Sequence, residues 1–206
     1  MKTLVRNLSL LTAALMIAPA LLAEGEPAAK VGTLAPAFAL PDPAGTAHSL
    51  EQYKGKIVVL EWVNYDCPFV KKHYGADAMQ SLQRELTGKG IVWLTICSSA
   101  PGKQGHYEAA KWPGLVAERK AAPSAVLLDP DGKVGKLYNA KTTPHMFIIG
   151  TDGKLAYQGA IDDKPSFNPD TLKDARNYVR EAVTALLDGK PLPVAETQAY
   201  GCSVKY

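Results

Sequence analysis

The sequence predicts a three-layer α/β fold in which a mixed central sheet is flanked by helices. Two apolar, β-branched segments, "IVVLEWV" at 57–63 and "IVWLTIC" at 91–97, are each followed by a segment with helical spacing. Such segments are typical of parallel strands buried on both faces. A pair of strands around "TDG" at 151–153 indicates a hairpin, and an amphipathic helix ends at Gly189. Alternating strands and helices followed by a hairpin and a last helix are typical of layered α/β domains.

The bulk composition limits the classes of function. The chain has 206 residues, 47% of them hydrophobic, which suffices for one globular domain with a full core. Its formal net charge is +3 without a strongly basic block, so we expect no nucleic-acid partner. The four histidines are scattered and no Cys/His cluster has zinc-site spacing, so we expect no metal and no other cofactor.

The N-terminal segment has the pattern of a secretory signal peptide. Lys2 and Arg6 precede an apolar stretch at 8–23, which is short for a membrane span of about 20 residues. Cleavage after Ala20 or after Ala23 fits the pattern, and an uncleaved anchor is the alternative. We assign a signal peptide to 1–23 and a leader to 24–30. We therefore expect a periplasmic or secreted protein with no stable membrane insertion after cleavage.

A short extension precedes the first buried strand. Phe38 and Leu40 alternate with small residues, which predicts a short strand. The stretch "PDPAG" indicates a turn, and "SLEQY" predicts a single helical turn.

The first buried strand leads into a helix through a three-residue link and Cys67. Pro68 lies where a helix would begin, and proline is favoured at the first helical position. The helical spacing then continues to "GKG" at 88–90, weakened by Gly75.

The second half continues the alternation. A helix is predicted over 107–120, disturbed by Pro113 and Gly114. "SAVLLDPDGKVGKLYNA" predicts a strand, a turn and a short helix. The hairpin strands are 146–149 and 154–159, and the last helix is predicted within 168–190. Six residues share its apolar face: Leu172, Ala175, Val179, Ala182, Val183 and Leu186.

Three cysteines remain after the signal peptide, namely Cys67, Cys97 and Cys202. Disulfides persist outside the cytoplasm, but an odd number leaves at least one thiol unpaired in a monomer. Cys202 lies in a C-terminal tail, 191–206, that follows the 31–190 domain.

The stretch "APAFALPDPAGTAHSLEQYKGKIVVLEW" resembles the opening of the redoxin group of the thioredoxin-fold superfamily. This group includes peroxiredoxins of the AhpC/TSA type and exported thioredoxin-like reductases. The resemblance covers roughly residues 31–189. It continues in the Cys67-Pro68 pair after a buried strand, in Thr143-Pro144 before "HMFII", and in the "TDGKLAYQG" hairpin before the last helix. It implies a thioredoxin-like fold with an N-terminal redoxin extension and a thiol-based oxidoreductase activity.

Cys67 is the candidate nucleophile. A cysteine at a helix N-terminus faces free amide groups and the positive end of the helix dipole, which favours the reactive thiolate. Lys71 and Lys72 add positive charge within about one turn. The alternative is that Cys67 is a small buried hydrophobic residue.

The resemblance implies further site residues. Thioredoxins carry a buried acid at the place of Glu61, which would make Glu61 a proton acceptor with a raised pKa. Thr143-Pro144 resembles the cis-proline loop that faces the active-site cysteine. The Thr143 backbone would then pair with an incoming disulfide-bearing chain, beside Pro144 and Pro68.

The sequence also departs from both branches of the superfamily. Val70 stands where dithiol thioredoxins have a second cysteine, and Leu60 and Asn64 replace the proline and the Thr or Ser of peroxiredoxins. The activating arginine of peroxiredoxins falls near "HMFII", where this chain has Pro144 instead.

A single-thiol site can attack a disulfide or be oxidised by a peroxide, and either intermediate needs a second thiol. Cys202 is the internal candidate for resolving it. Two alternatives stay open: Cys202 forms a structural bridge to Cys97, or an external thiol resolves the intermediate.

Two functions follow as hypotheses. One is an exported thiol oxidoreductase that acts on a disulfide-bearing protein or a small peroxide and takes electrons from an external thiol reductant. The other is a thioredoxin-fold binding or scaffold module of the cell envelope in which Cys67 is incidental. A lowered pKa of Cys67 supports the first, and a raised pKa the second.

Overall fold

The structure, a computed structural model, describes residues 29–206. The signal peptide assigned to 1–23 and most of the leader at 24–30 lie outside the described residues. No helix in the described part of the chain is long and apolar enough to cross a membrane.

A mixed five-stranded sheet forms the centre of the fold, in the order β5-β4-β3-β7-β8. Strands β3, β4 and β5 are parallel, while β7 and β8 run antiparallel to their neighbours. Two short pairs, β1-β2 and β6-β9, lie outside this sheet. The strands are β1 Ala39–Pro41, β2 Ala47–Ser49, β3 Val58–Trp62, β4 Val92–Cys97, β5 Ala125–Leu128, β6 Thr142–Thr143, β7 His145–Ile149, β8 Leu155–Gly159 and β9 Cys202–Ser203.

Helices cover one face of the sheet, and a helix with the N-terminal hairpin covers the other. The helices are α1 Pro68–Gly75, α2 Ala78–Gly88, α3 Trp112–Glu118, α4 Lys133–Leu137 and α5 Tyr178–Leu187. Val59 packs in the core with α1, α2, α3 and α5, whereas Val58 and Leu60 pack with α4 and β1. Side chains alternate along a strand, so a strand that is buried at every position supplies both cores. The predicted three-layer α/β fold with a mixed sheet is confirmed.

The last helix starts later than predicted. Residues Pro169–Asp174 form a short 3-10 helix, and α5 begins only at Tyr178. The Asn177 side chain accepts a hydrogen bond from the Arg180 amide at 2.8 Å, which makes Asn177 the N-cap. Asp162 and Asn177 form a β-bridge that keeps the preceding backbone extended. The cap and the bridge therefore exclude Leu172 and Ala175 from α5, although both fit the apolar periodicity of the predicted helix.

Two other helical predictions need correction in detail. The segment after Pro68 divides into α1 and α2, because Asp77 has a left-handed backbone with φ of 56°. The helix predicted over 107–120 is shorter, because α3 begins only at Trp112, with Pro113 in its first turn, where the missing N–H costs no hydrogen bond.

The C-terminal tail is ordered and returns along the sheet. The Thr197 amide donates to the Gln158 carbonyl at 3.1 Å, and β9 pairs with β6. Beyond β9, the Ala100 amide donates to the Lys205 carbonyl at 2.8 Å. The tail therefore crosses the end of the sheet at which the β3–α1 link lies.

Candidate active site

Cys67 lies at the junction of β3 and α1. It is the N-cap residue of α1, and its carbonyl accepts the first helical hydrogen bond, from the Lys71 amide at 2.9 Å. Pro68 is the first helical residue and is exposed, whereas Cys67 is completely buried. The sequence therefore placed Cys67 correctly at a helix start.

The loop before β7 faces this cysteine. The Thr143–Pro144 peptide bond is cis, and both residues are buried. The Cys67 thiol donates a hydrogen bond to the Thr143 carbonyl oxygen over 3.1 Å.

The tail brings Cys202 to the same place. In the antiparallel β6–β9 pair, Thr143 is the register partner of Cys202. Gly201 precedes it with φ of 141°, and a Cβ there would collide with the Thr143 carbonyl oxygen. The position therefore requires glycine. Cys202 occupies the backbone edge at which the sequence predicted an incoming chain.

The two thiols have shifted pKa values of opposite sign. Burial raises the pKa of Cys67, but hydrogen bonds from the Cys202 thiol, the Val70 and Cys202 amides and the Thr143 hydroxyl outweigh burial, so the net pKa is lowered. Burial and the neighbouring Cys67 raise the pKa of Cys202 to about 11. Cys67 is therefore the thiol that deprotonates first, and the thiolate is the nucleophilic form.

The lysines after Cys67 do not supply the expected positive charge. Lys71 is exposed, while Lys72 is buried and donates to the Lys164 carbonyl at 2.8 Å. The Lys72 Nζ also lies 3.6 Å from a carboxylate oxygen of Asp162. Hydrogen bonds, rather than these two lysines, lower the pKa of Cys67.

Glu61 is buried in β3, and burial raises its pKa against the effect of its hydrogen bonds. Its carboxylate accepts from four side chains: Tyr74 Oη at 3.0 Å, Gln83 Nε2 at 3.1 Å, Trp93 Nε1 at 2.9 Å and Thr95 Oγ1 at 2.9 Å. Among the described residues, Cys67 is not one of its hydrogen-bond partners. The role of Glu61 as proton acceptor stays a prediction.

Cys97 lies apart from this pair of thiols. It is buried at the end of β4, its thiol donates to the Gly105 carbonyl at 3.4 Å, and burial raises its pKa. All three cysteines are free thiols, so Cys97 and Cys202 do not form the alternative structural bridge.

Sequence reasoning missed a buried polar cluster next to the thiols. Lys72 and His73 of α1 meet Asp162, and the hydroxyl of Tyr200 from the tail reaches all three. The available signal was the "YGC" stretch, which places Tyr200 only two residues before Cys202.

Solved structures with the same fold provide the first comparison. An uncharacterised conserved protein from Geobacillus kaustophilus is 28% identical with a TM-score of 0.75, covering 89% of this chain and 98% of its own. A hypothetical protein from Sinorhizobium meliloti 1021 is 25% identical with a TM-score of 0.75, covering 87% and 96%. A protein from Chlorobium tepidum, named as a thiol:disulfide interchange protein, is 23% identical with a TM-score of 0.58 over 78% and 99%, which supports the fold alone.

Sequence comparison identifies the family. No curated protein sequence matches the chain. The profile of the AhpC/TSA family matches residues 31–158, which is more than half of the chain and includes Cys67 and the Thr143–Pro144 loop. The chain therefore belongs to the AhpC/TSA family, within the redoxin group of the thioredoxin superfamily.

Proposed function

We propose that the protein is an exported thiol–disulfide oxidoreductase in which Cys67 is the nucleophile and Cys202 resolves the intermediate. One observation carries the proposal. Thr143 accepts the hydrogen bond of the Cys67 thiol and is also the strand partner of Cys202. Membership of the family supports thiol oxidoreductase chemistry in general.

The proposed reaction consists of two exchanges. The Cys67 thiolate attacks one sulfur of a substrate disulfide, so that a mixed disulfide forms and one substrate thiolate leaves. Cys202 then attacks the Cys67 sulfur, which forms the Cys67–Cys202 disulfide and expels the second substrate sulfur, to which the Cys202 proton passes. The substrate gains two electrons, and an external thiol reductant restores the two protein thiols.

The surroundings of Cys67 favour a disulfide over a peroxide as substrate. The hydrogen bonds to its sulfur come from amides, a hydroxyl and a thiol, and not from a guanidinium among the described residues. A guanidinium is the group that peroxiredoxins place next to their peroxide. The backbone edge of Thr143, beside Pro144 and Pro68, is occupied by β9, and an extended disulfide-bearing chain would pair there once β9 separates from it.

The binding-module alternative receives less support. It predicts that Cys67 is an inert buried thiol with a raised pKa, whereas its hydrogen bonds lower the pKa. Export rests on the signal pattern of residues 1–23.

The replacement Cys202→Ser tests the proposed sequence of steps. After addition of glutathione disulfide, we expect the full-length mature variant to retain one glutathione on Cys67, because nothing internal displaces it. The wild-type protein releases that glutathione. Mass spectrometry of quenched samples checks this, with Cys97→Ser as the matched control that behaves like wild type. Equal release in both variants would contradict Cys202 as the resolving residue, and reaction with hydrogen peroxide but not with the disulfide would contradict the substrate class.

A further inference from the structure

Next to the two thiols lies a buried charged cluster that the two exchanges do not use. Lys72 and His73 on α1 are both buried beside Asp162, which follows β8. The Nζ of Lys72 lies 3.6 Å and the Nε2 of His73 lies 3.8 Å from Asp162 Oδ2. Burial and the neighbouring Lys72 lower the pKa of His73 to about 3, so Lys72 and Asp162 are the charged pair. Charged side chains are rarely buried unless they are paired, and removing a partner leaves an uncompensated charge.

The Tyr200 hydroxyl completes this cluster from the tail. It donates to Asp162 Oδ1 and accepts from Lys72 Nζ at 3.2 Å. The His73 Nε2 atom lies 3.4 Å from the same hydroxyl oxygen. A hydroxyl has one donor and two acceptor positions, so the contacts with Asp162 and Lys72 use its donor position and one acceptor position. Burial raises the pKa of Tyr200, so it keeps the proton that it donates.

Aromatic and cationic contacts hold the Tyr200 ring. The centroid of this ring lies 5.8 Å from the ring centroid of Phe69 and 5.2 Å from Lys72 Nζ.

Asp162 Oδ2 is buried and has no hydrogen-bond partner among the described residues. Loss of the Tyr200 hydroxyl would leave the other carboxylate oxygen with only the Lys164 amide, at 2.9 Å.

The β6–β9 pair is short, so contacts outside it contribute to fixing its register. It comprises two residues on each strand. A slip of one residue would place Gly201 or Ser203, instead of Cys202, at Thr143. Only Gly201 separates Cys202 from Tyr200, and two residues span at most about 7 Å. A fixed Tyr200 hydroxyl therefore limits where the Cys202 thiol can lie.

We propose that Tyr200 is a positioning residue for the resolving step, and that the Lys72–His73–Asp162 cluster is the site that binds its hydroxyl. With the hydroxyl seated there, Cys202 stands in register with Thr143 and against Cys67. This inference rests on the proposed function, because it assumes that Cys202 attacks the Cys67 sulfur.

The replacement Tyr200→Phe in the full-length mature protein tests the proposal. It removes only the hydroxyl and keeps the ring against Phe69. Glutathione disulfide in increasing excess separates the two steps. The measured quantity is the rate at which the Cys67–Cys202 disulfide forms. Attack by Cys67 is bimolecular, so this rate first rises with glutathione disulfide concentration. Closure to Cys202 is unimolecular, so it sets the plateau that the rate reaches at high concentration. We expect the bimolecular rate constant not to fall. The plateau rate should fall roughly 10- to 150-fold, the size associated with loss of a hydrogen bond to charged groups.

Tyr206→Phe is the matched control. Tyr206 is also in the tail, but its hydroxyl donates to the Ala140 carbonyl at 2.7 Å, away from the cluster. We expect its plateau to change less than twofold. An unchanged plateau in Tyr200→Phe, or an equal fall in both variants, would overturn the positioning role. If wild-type protein forms no Cys67–Cys202 bond at all, the proposed function itself fails.

Discussion

Cys67 and Cys202 carry the same functional group, and their surroundings give them different tasks. Cys67 receives hydrogen bonds at a helix start, which lower its pKa despite burial. Cys202 has the Cys67 sulfur as a neighbour, and burial together with that neighbour raises its pKa to about 11. A nucleophile should ionise first, and a thiol that ionises later does not compete with it.

The pH dependence of alkylation tests this assignment. A lowered pKa raises the thiolate fraction at a given pH, so we expect the iodoacetamide reaction of Cys67 to have its midpoint below the value of 9.0 for an ordinary cysteine. The midpoint of Cys202 is expected near 11. Peptide mass spectrometry of wild-type protein resolves both sites, and the midpoint is independent of how exposed each thiol is. The reverse order of midpoints would contradict the assignment.

Glu61 shows how far single residues can be predicted. An acid within "IVVLEWV" could be placed in a buried strand from the sequence. Its donors could not, because Trp93 and Thr95 come from β4 and Gln83 from α2. Which groups meet a buried carboxylate depends on strand pairing, which periodicity does not specify.

At the scale of elements, the two-residue strand β9 covers the nucleophile. It pairs with β6 where an incoming chain would pair, and Cys67 is completely buried. A substrate chain and β9 therefore compete for one backbone edge. So short a strand can separate locally without unfolding the sheet.

The replacement Gly201→Ala tests this cover. A Cβ at residue 201 meets the Thr143 carbonyl, and φ is 141°. Such strain costs about 1–3 kcal/mol, which corresponds to a roughly 5- to 150-fold shift towards the detached tail. We expect glutathione disulfide to modify Cys67 faster and closure to Cys202 to become slower.

Gly114→Ala is the matched control for that prediction. Gly114 lies in α3 with open space around its Cβ position and no left-handed backbone. We expect both steps to keep wild-type rates there. Wild-type rates in Gly201→Ala as well would show that β9 does not control access.

Elements were predictable where local sequence determines them. The structure agrees with three such predictions: the two largely apolar buried strands, the proline at the start of α1 and the hairpin at "TDG". The start of α5 and the path of the tail along the sheet were not predictable in this way. A side-chain cap and a β-bridge from the distant Asp162 fix the first, and contacts with Gln158 and Thr143 fix the second.

At the scale of the whole molecule, the site is an assembly of distant segments. The parallel β3 and antiparallel β7 place the Cys67 link and the Thr143–Pro144 loop at one end of the sheet. The tail then returns from α5 to the same end. The sequence, through the resemblance, indicated Cys67, the cis bond and a resolving candidate. It could not choose between Cys67 and Cys97 as the neighbour of Cys202, because only the path of the tail decides this.

A disulfide map of the full-length mature protein tests the central claim most directly. Thiols are counted and linked peptides identified by mass spectrometry, before and after one equivalent of glutathione disulfide. We predict three free thiols at first, and afterwards a Cys67–Cys202 bond with Cys97 still free. A Cys97–Cys202 bond, or glutathione that stays on Cys67 while Cys202 remains free, would contradict the account.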